Sequence, residues 1–247
     1  MVSKNGRIVA VWGSTGSGKT TLSSQLALGL AEKKKDVIIV YTDIITPVIP
    51  VLMPELKEQK SMEHLWSNPD CSSDLILNSC VITKSQHICL LGYKATENVF
   101  SQQDYVKENV YKVYMELKDL ADYVIVDCVS YFPYNMLSTV ALEAADNVIR
   151  LSEATLKSYS YFDSNLSALV ESKYDTDEHI RVLSKVKSFQ PKELAATRLS
   201  TAYQLPYNEE IERMMLSGTL LQTRIEGTYR KEMNKLLTVL MEGDLDE

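Results

Sequence analysis

The chain contains Gly13-Ser14-Thr15-Gly16-Ser17-Gly18-Lys19-Thr20, which satisfies every fixed position of the pattern G-x-x-x-x-G-K-[ST]. No other stretch restricts the fold as tightly, because this pattern binds phosphate only when a strand feeds it and a helix leaves it. Arg7-Ile8-Val9-Ala10-Val11-Trp12 predicts a buried strand before the loop. Leu22, Leu26 and Leu30 fall on one face of a helix predicted over 21–32. Backbone N–H groups of such a loop, with the positive end of the following helix, point into one concavity that accepts phosphate oxygens. Gly13, Gly16 and Gly18 are expected to keep that concavity open, either by sparing room or by adopting angles closed to other residues. Lys19 is placed to bring charge to the β- and γ-phosphates, and the Thr20 hydroxyl to hold Mg²⁺. The bland alternative is a glycine-rich turn that binds nothing, and both spacing and context speak against it.

The 247 residues allow one large α/β domain or two small ones. A formal net charge of -7 argues against broad, non-specific binding to nucleic acid or to an anionic membrane. No apolar run approaches the ~20 residues of a membrane span, and the N-terminus leads straight into the first strand, so a cytoplasmic location is expected. Cys71, Cys80, Cys89 and Cys128, like His64, His87 and His179, are scattered rather than paired at metal-site spacings. Ordinary thiols and no zinc are expected.

Val37-Ile38-Ile39-Val40-Tyr41 predicts a second buried strand, which completes a βαβ unit and delivers Asp43 at its carboxyl end. Pro47, Pro50 and Pro54 prevent a long helix from starting at once. Helical fragments are expected over 55–85, a strand over 87–91 and an amphipathic helix over 104–120. Asp122-Tyr123-Val124-Ile125-Val126-Asp127 is an apolar run ending in a carboxylate. That is where a Walker B group, which orients Mg²⁺, is expected beside a phosphate loop; a cap or turn role is the alternative for Asp127. A helix over 137–145, a strand over 147–151, a helix over 153–170 and a last strand over 180–186 follow. Helix is expected over 192–201 and 209–241, with Leu205-Pro206 as a break and acidic residues 242–247 fraying. This uninterrupted alternation favours a single doubly wound domain over 1–247, with a mostly parallel sheet and helices on both faces.

With these residues in place the chain resembles the MinD/ParA family of P-loop ATPases along nearly its full length. The resemblance rests on the phosphate loop with its doubled Thr20-Thr21, the strand into Asp43, and the strand into Asp127. It rests also on Ala144-Ala145-Asp146-Asn147-Val148-Ile149 and the late Leu205-Pro206-Tyr207-Asn208 followed by Glu212 and Ser217-Gly218. It implies ATP and Mg²⁺ as cofactors, with nucleotide contacts from Gly13, Ser14, Thr15, Gly16, Ser17, Gly18, Lys19, Thr20 and Thr21. Thr20, Asp43 and Asp127 would serve the metal, and Asp43 and Lys19 the catalysis, Asp43 by positioning the attacking water.

Three positions depart from the family pattern. Ser14 stands where the family carries a lysine that crosses a dimer interface to the partner's nucleotide. Cys128-Val129-Ser130-Tyr131 lacks the usual glycine after Walker B, and Ser184 replaces an asparagine that reads adenine. The acidic balance weakens a DNA-binding role, and the acidic end after Leu236-Leu237-Thr238-Val239-Leu240-Met241 does not suit membrane insertion. What remains resembles an atypical branch, of the TadZ/CpaE kind, whose members position pili, secretion or conjugation machinery. The expectation is a slow ATP-dependent switch that forms a homodimer and acts on a protein assembly. A nucleotide-binding scaffold without useful hydrolysis is the first alternative. A synthetase that transfers phosphate to a carboxylate, with Lys94, Tyr131 and Tyr134 as its polar groups, is the second. A GTPase is disfavoured because Ser184-Lys185-Val186-Lys187 lacks the guanine-reading Asp.

Overall fold

The computed structural model describes residues 4–190 and 192–242. β1 (Arg7–Gly13), α1 (Lys19–Glu32) and β2 (Val37–Tyr41) form the opening unit. Three short helices, α2 (Ile49–Leu52), α3 (Glu63–Ser67) and α4 (Ser73–Ser79), precede β3 (Val81–Ile82) and β4 (Ile88–Leu91). The chain continues through α5 (Lys107–Leu120), β5 (Tyr123–Asp127), α6 (Met136–Ala144), β6 (Asn147–Glu153) and α7 (Leu156–Asn165). It ends with β7 (Ile180–Val186), α8 (Lys192–Leu199), β8 (Tyr203–Pro206), α9 (Glu209–Ser217) and α10 (Thr228–Glu242).

These strands form one sheet in the order β3-β4-β2-β5-β1-β6-β7-β8. Every neighbouring pair is parallel except β3 with β4, so the sheet is doubly wound as its apolar strands predict. β1 lies between β5 and β6; its connection leaves towards β2 and that of β5 towards β6. A crevice therefore opens at their carboxyl ends. The pairing of Val11 with Asp127 sets the end of β5 beside the start of the phosphate loop.

Both sheet faces are buried. One carries Leu22, Leu26 and Leu30 of α1 with Leu236, Leu237 and Leu240 of α10. The other carries Trp12, Trp66, Tyr114 and Val140. A Cβ on Gly29 would lie 2.4 Å from Leu237 Cδ1, so α10 rests directly on α1. Trp12, the last large side chain before the loop, is fully buried among Phe132, Tyr161 and Phe162 at centroid distances of 5.3, 5.9 and 5.6 Å.

Several elements differ from the sequence expectation. The predicted helix over 104–120 starts only at Lys107; ahead of it Val106 is extended, and Glu63 accepts from the Gln103 N–H at 2.6 Å and the Tyr105 hydroxyl at 2.8 Å. Glu153 belongs to β6, paired with Ser184, and α7 starts after Thr155, whose hydroxyl accepts the Ser158 N–H. The helix predicted up to 170 becomes a 3-10 segment, Leu166–Leu169, after Asn165. Tyr203–Pro206 is a strand rather than a break, so 180–186 is not the last one. β3 is a two-residue edge strand inside a stretch expected to be helical. Gly218, at φ 64, ends α9 and splits the helix expected over 209–241. Residues 243–247, most of the acidic end, lie outside the described residues.

Candidate functional site

α1 begins at Lys19, behind Gly18 in the left-handed region at φ 90, with Gly16 at φ 80. These two glycines do what the pattern requires of them. Gly13 serves another purpose: a Cβ there would lie 1.9 Å from the Leu151 carbonyl oxygen of β6. Its bareness lets strand and loop pass close to β6 rather than making room for phosphate.

Lys19 is half-buried and spans the loop. Its Nζ donates to the carbonyls of Gly13 and Ser14, both at 3.3 Å, and to Ser130 Oγ at 2.6 Å. Burial lowers its pKa, opposed by the nearby Asp127 carboxylate. Asp127 ends β5 in the core, and burial pushes its carboxyl up to about 6. The Thr20 hydroxyl donates to its Oδ2 at 2.6 Å, and Ser23 Oγ lies 3.4 Å from Oδ1. A buried carboxylate that is costly to ionise, touching a hydroxyl at the loop's end, offers a divalent cation two hard oxygens and gains from its charge. Among the described residues no cluster of three or more His, Cys, Asp or Glu could hold a metal ion. Mg²⁺ takes one or two protein ligands and completes its shell with water and phosphate oxygens.

Asp43 follows β2 and closes a turn, its Oδ1 accepting the N–H of Ile45 at 2.9 Å and of Thr46 at 3.1 Å. The Tyr131 hydroxyl donates to the same oxygen at 3.1 Å. Thr15, Gly16, Gly18, Lys19, Thr20, Thr21, Asp43 and Asp127 share one cleft of about 330 Å³ with Ser130 and Tyr131. Eight of the eleven site residues expected from the sequence thus line one cleft, and Gly13, Ser14 and Ser17 do not. Tyr131 is the only one of Lys94, Tyr131 and Tyr134 that lines this cleft, and Tyr134 stands 92% exposed.

Ser14 and Ser17 stand apart as side chains. Ser14 is buried, its Oγ 3.0 Å from Ser158 Oγ at the start of α7, and its carbonyl accepts from Lys19. Ser17 is buried and lines a second, apolar pocket with Leu151, Leu205, Pro206, Ile211 and Tyr229. That pocket adjoins the loop through Gly18 and Thr21. Ser184 does not face it freely: its hydroxyl donates to Ser17 O at 2.7 Å, with Ser152 O at 3.0 Å. Lys185, at φ 51 on a bulge of β7, bonds Gly16 O and pairs with Glu153 at 3.1 Å. Since C=O and N–H of a peptide point opposite ways, holding Ser17 O outward turns the Gly18 N–H to the other side of the loop. Sequence reasoning missed this anchor, because no pattern links residues 167 or 169 positions apart.

A family model described as an AAA domain matches residues 6–172, more than half of the chain. No curated protein matches the sequence. Among solved structures, a ParA family ATPase from Chlorobium tepidum superposes with a TM-score of 0.77 at 16% identity, covering 96% of this chain and 100% of that one. The septum site-determining protein MinD from Pyrococcus horikoshii, complexed with Mg-ADP, gives 0.73 at 15% identity and covers 95% of both chains. The Aquifex aeolicus MinC:MinD cell division protein complex gives 0.74 at 16%, covering 95% and 96%.

Proposed function

The chain belongs to the AAA-domain family and has the fold of the MinD/ParA P-loop ATPases, and we propose that it is an ATP-binding, slowly hydrolysing dimeric switch. It would act as a single domain over 1–247, in the cytoplasm, to localise or regulate a protein assembly such as a pilus, secretion or conjugation apparatus. One observation carries the reading: the Thr20 hydroxyl meets the buried Asp127 carboxylate at 2.6 Å, beneath a loop spanned by Lys19. The loop amides and Lys19 bind phosphates, and Thr20 with Asp127 would hold Mg²⁺, whose charge neutralises the phosphate oxygens when bound. Asp43, on the far wall, orients the water. Hydrolysis is slow because Ser14, buried against Ser158, supplies no cation to a partner's nucleotide.

A second copy of the chain would meet exposed apolar side chains near the cleft in sequence. Ile45, Tyr134 and Leu216 are 62%, 92% and 91% exposed, and each lies within three residues of a cleft residue, Asp43, Tyr131 or Met215. The formal net charge of -7 weighs against DNA or an anionic membrane as the partner. Leu236, Leu237 and Leu240 of α10 are buried against the core, worth roughly 1.5–3 kcal/mol each, which an inserting helix would forfeit. No helix among the described residues is long and apolar enough to cross a membrane.

The buried Ser14 also supports a second reading, a scaffold that binds nucleotide without useful hydrolysis. Two measurements on the intact chain separate them: Mg²⁺-dependent phosphate release, and sedimentation with and without a non-hydrolysable ATP analogue. Release together with an analogue-driven dimer supports the switch. Binding and assembly with no release supports the scaffold.

A further inference from the structure

Asp43 carries more than a turn requires. Its Oδ1 already accepts two backbone N–H groups, from Ile45 and Thr46, yet the Tyr131 hydroxyl donates to that same atom from across the cleft. Oδ2 has no hydrogen-bond donor among the described residues. A carboxylate rotates about one bond. Two donors from a single turn fix one side of it loosely, whereas a third from a separate element fixes the plane.

Tyr131 itself is held. Ser138 Oγ accepts the Val129 N–H at 3.0 Å, the Tyr161 hydroxyl donates to Ser130 O at 2.6 Å, and the Tyr134 N–H returns to Tyr131 O at 3.0 Å. Tyr161 packs in turn on buried Trp12. Beside it, Ser130 Oγ accepts from Lys19 at 2.6 Å, so two consecutive residues reach the phosphate-loop lysine and the far-wall carboxylate.

We propose that Tyr131 is a positioning residue for Asp43: as the third donor on Oδ1 it fixes the carboxylate plane so that Oδ2 accepts a proton of the attacking water. That water's oxygen forms a bond to the γ-phosphorus while the bond from that phosphorus to the β,γ-bridging oxygen breaks and ADP leaves. The assignment rests on the hydrolytic reading above and deepens it. The water's other proton and its lone pair are untouched by Tyr131, which neither gives nor takes a proton in the step. A hydroxyl in this place performs by direct contact an alignment that a glycine has no side chain to provide.

The test is a double-mutant cycle on the full chain, with steady-state phosphate release from MgATP and affinity for a non-hydrolysable analogue as separate readouts. Tyr131→Phe keeps the ring and removes only the hydroxyl. It is expected to lower kcat about tenfold, with analogue affinity within about twofold and the melting temperature unchanged. In an Asp43→Ala background the same substitution is expected to change kcat by less than about twofold, since there is no carboxylate left to position. A Tyr131→Phe protein that turns over like the parent overturns the assignment, as does an equal loss of kcat in both backgrounds. If Asp43→Ala alone turns over like the parent, or the parent releases no phosphate, the hydrolytic reading falls and this inference with it.

Discussion

The two walls of the cleft are built differently. On the loop side, Thr20, Ser23 and Asp127 lock together inside the core, and Gly13 touches the β6 backbone. On the other side, Asp43 and Tyr131 are half-buried and meet through one hydrogen bond between loops. The loop wall is thus continuous with the packed core, while the wall of Asp43 and Tyr131 rests on a single contact between loops. Binding and turnover should separate along this division.

The strongest test of the first wall is Gly13→Ala. A methyl 1.9 Å from a strand carbonyl has no side-chain rotation to relieve it, so the loss should be about 3 kcal/mol or more. Thermal melting reads it. A variant as stable as the parent would show that β1 and β6 are not in this close contact.

Asp127→Asn probes the same wall through pH. The folded carboxyl titrates at about 6 against an ordinary 3.8, raised by burial. Stability associated with its protonated form is therefore present below 3.8 and lost as pH rises through about 6. Without Mg²⁺, the asparagine variant should gain on the order of 2 kcal/mol over the parent between pH 4 and pH 7. Parallel stability curves in denaturant would remove Asp127 from the core.

Lys19→Ala should weaken ATP binding at least tenfold, roughly 1.4 kcal/mol, since the loop would keep only its amides for the phosphates. Unchanged affinity in calorimetry would overturn the phosphate assignment. The smallest expected change is the affinity of Asp43→Ala, within about twofold, although its turnover should fall. A large loss of affinity there would erase the division between the walls.

The sequence made the first wall legible and the second only in part. A phosphate loop needs fixed residue types at fixed spacing because its own backbone is the ligand, and Asp127 is announced by the apolar strand that ends in it. The Tyr131 contact with Asp43 spans 88 positions and depends on where two loops settle, which no local pattern encodes. β8 was hidden for a related reason: Tyr203-Gln204-Leu205-Pro206 is too short to show a strand period, and becomes one only because β7 offers it an edge. The start of α5 lies three residues beyond where helical spacing puts it, next to a segment that Glu63 contacts from forty positions away.

Trp12 gives the molecule an optical reporter of its own. One of only two tryptophans, it directly precedes the phosphate loop and packs on Tyr161, whose hydroxyl holds Ser130, the residue bonded to Lys19. Its ring is fully buried, and the His179 ring lies 6.5 Å from it. Trp66 lies in another part of the core, against Tyr114. A Trp66→Phe protein would therefore keep one tryptophan, beside the loop, and stopped-flow fluorescence on adding nucleotide would read any change in its packing in real time, without a dye or an attached label.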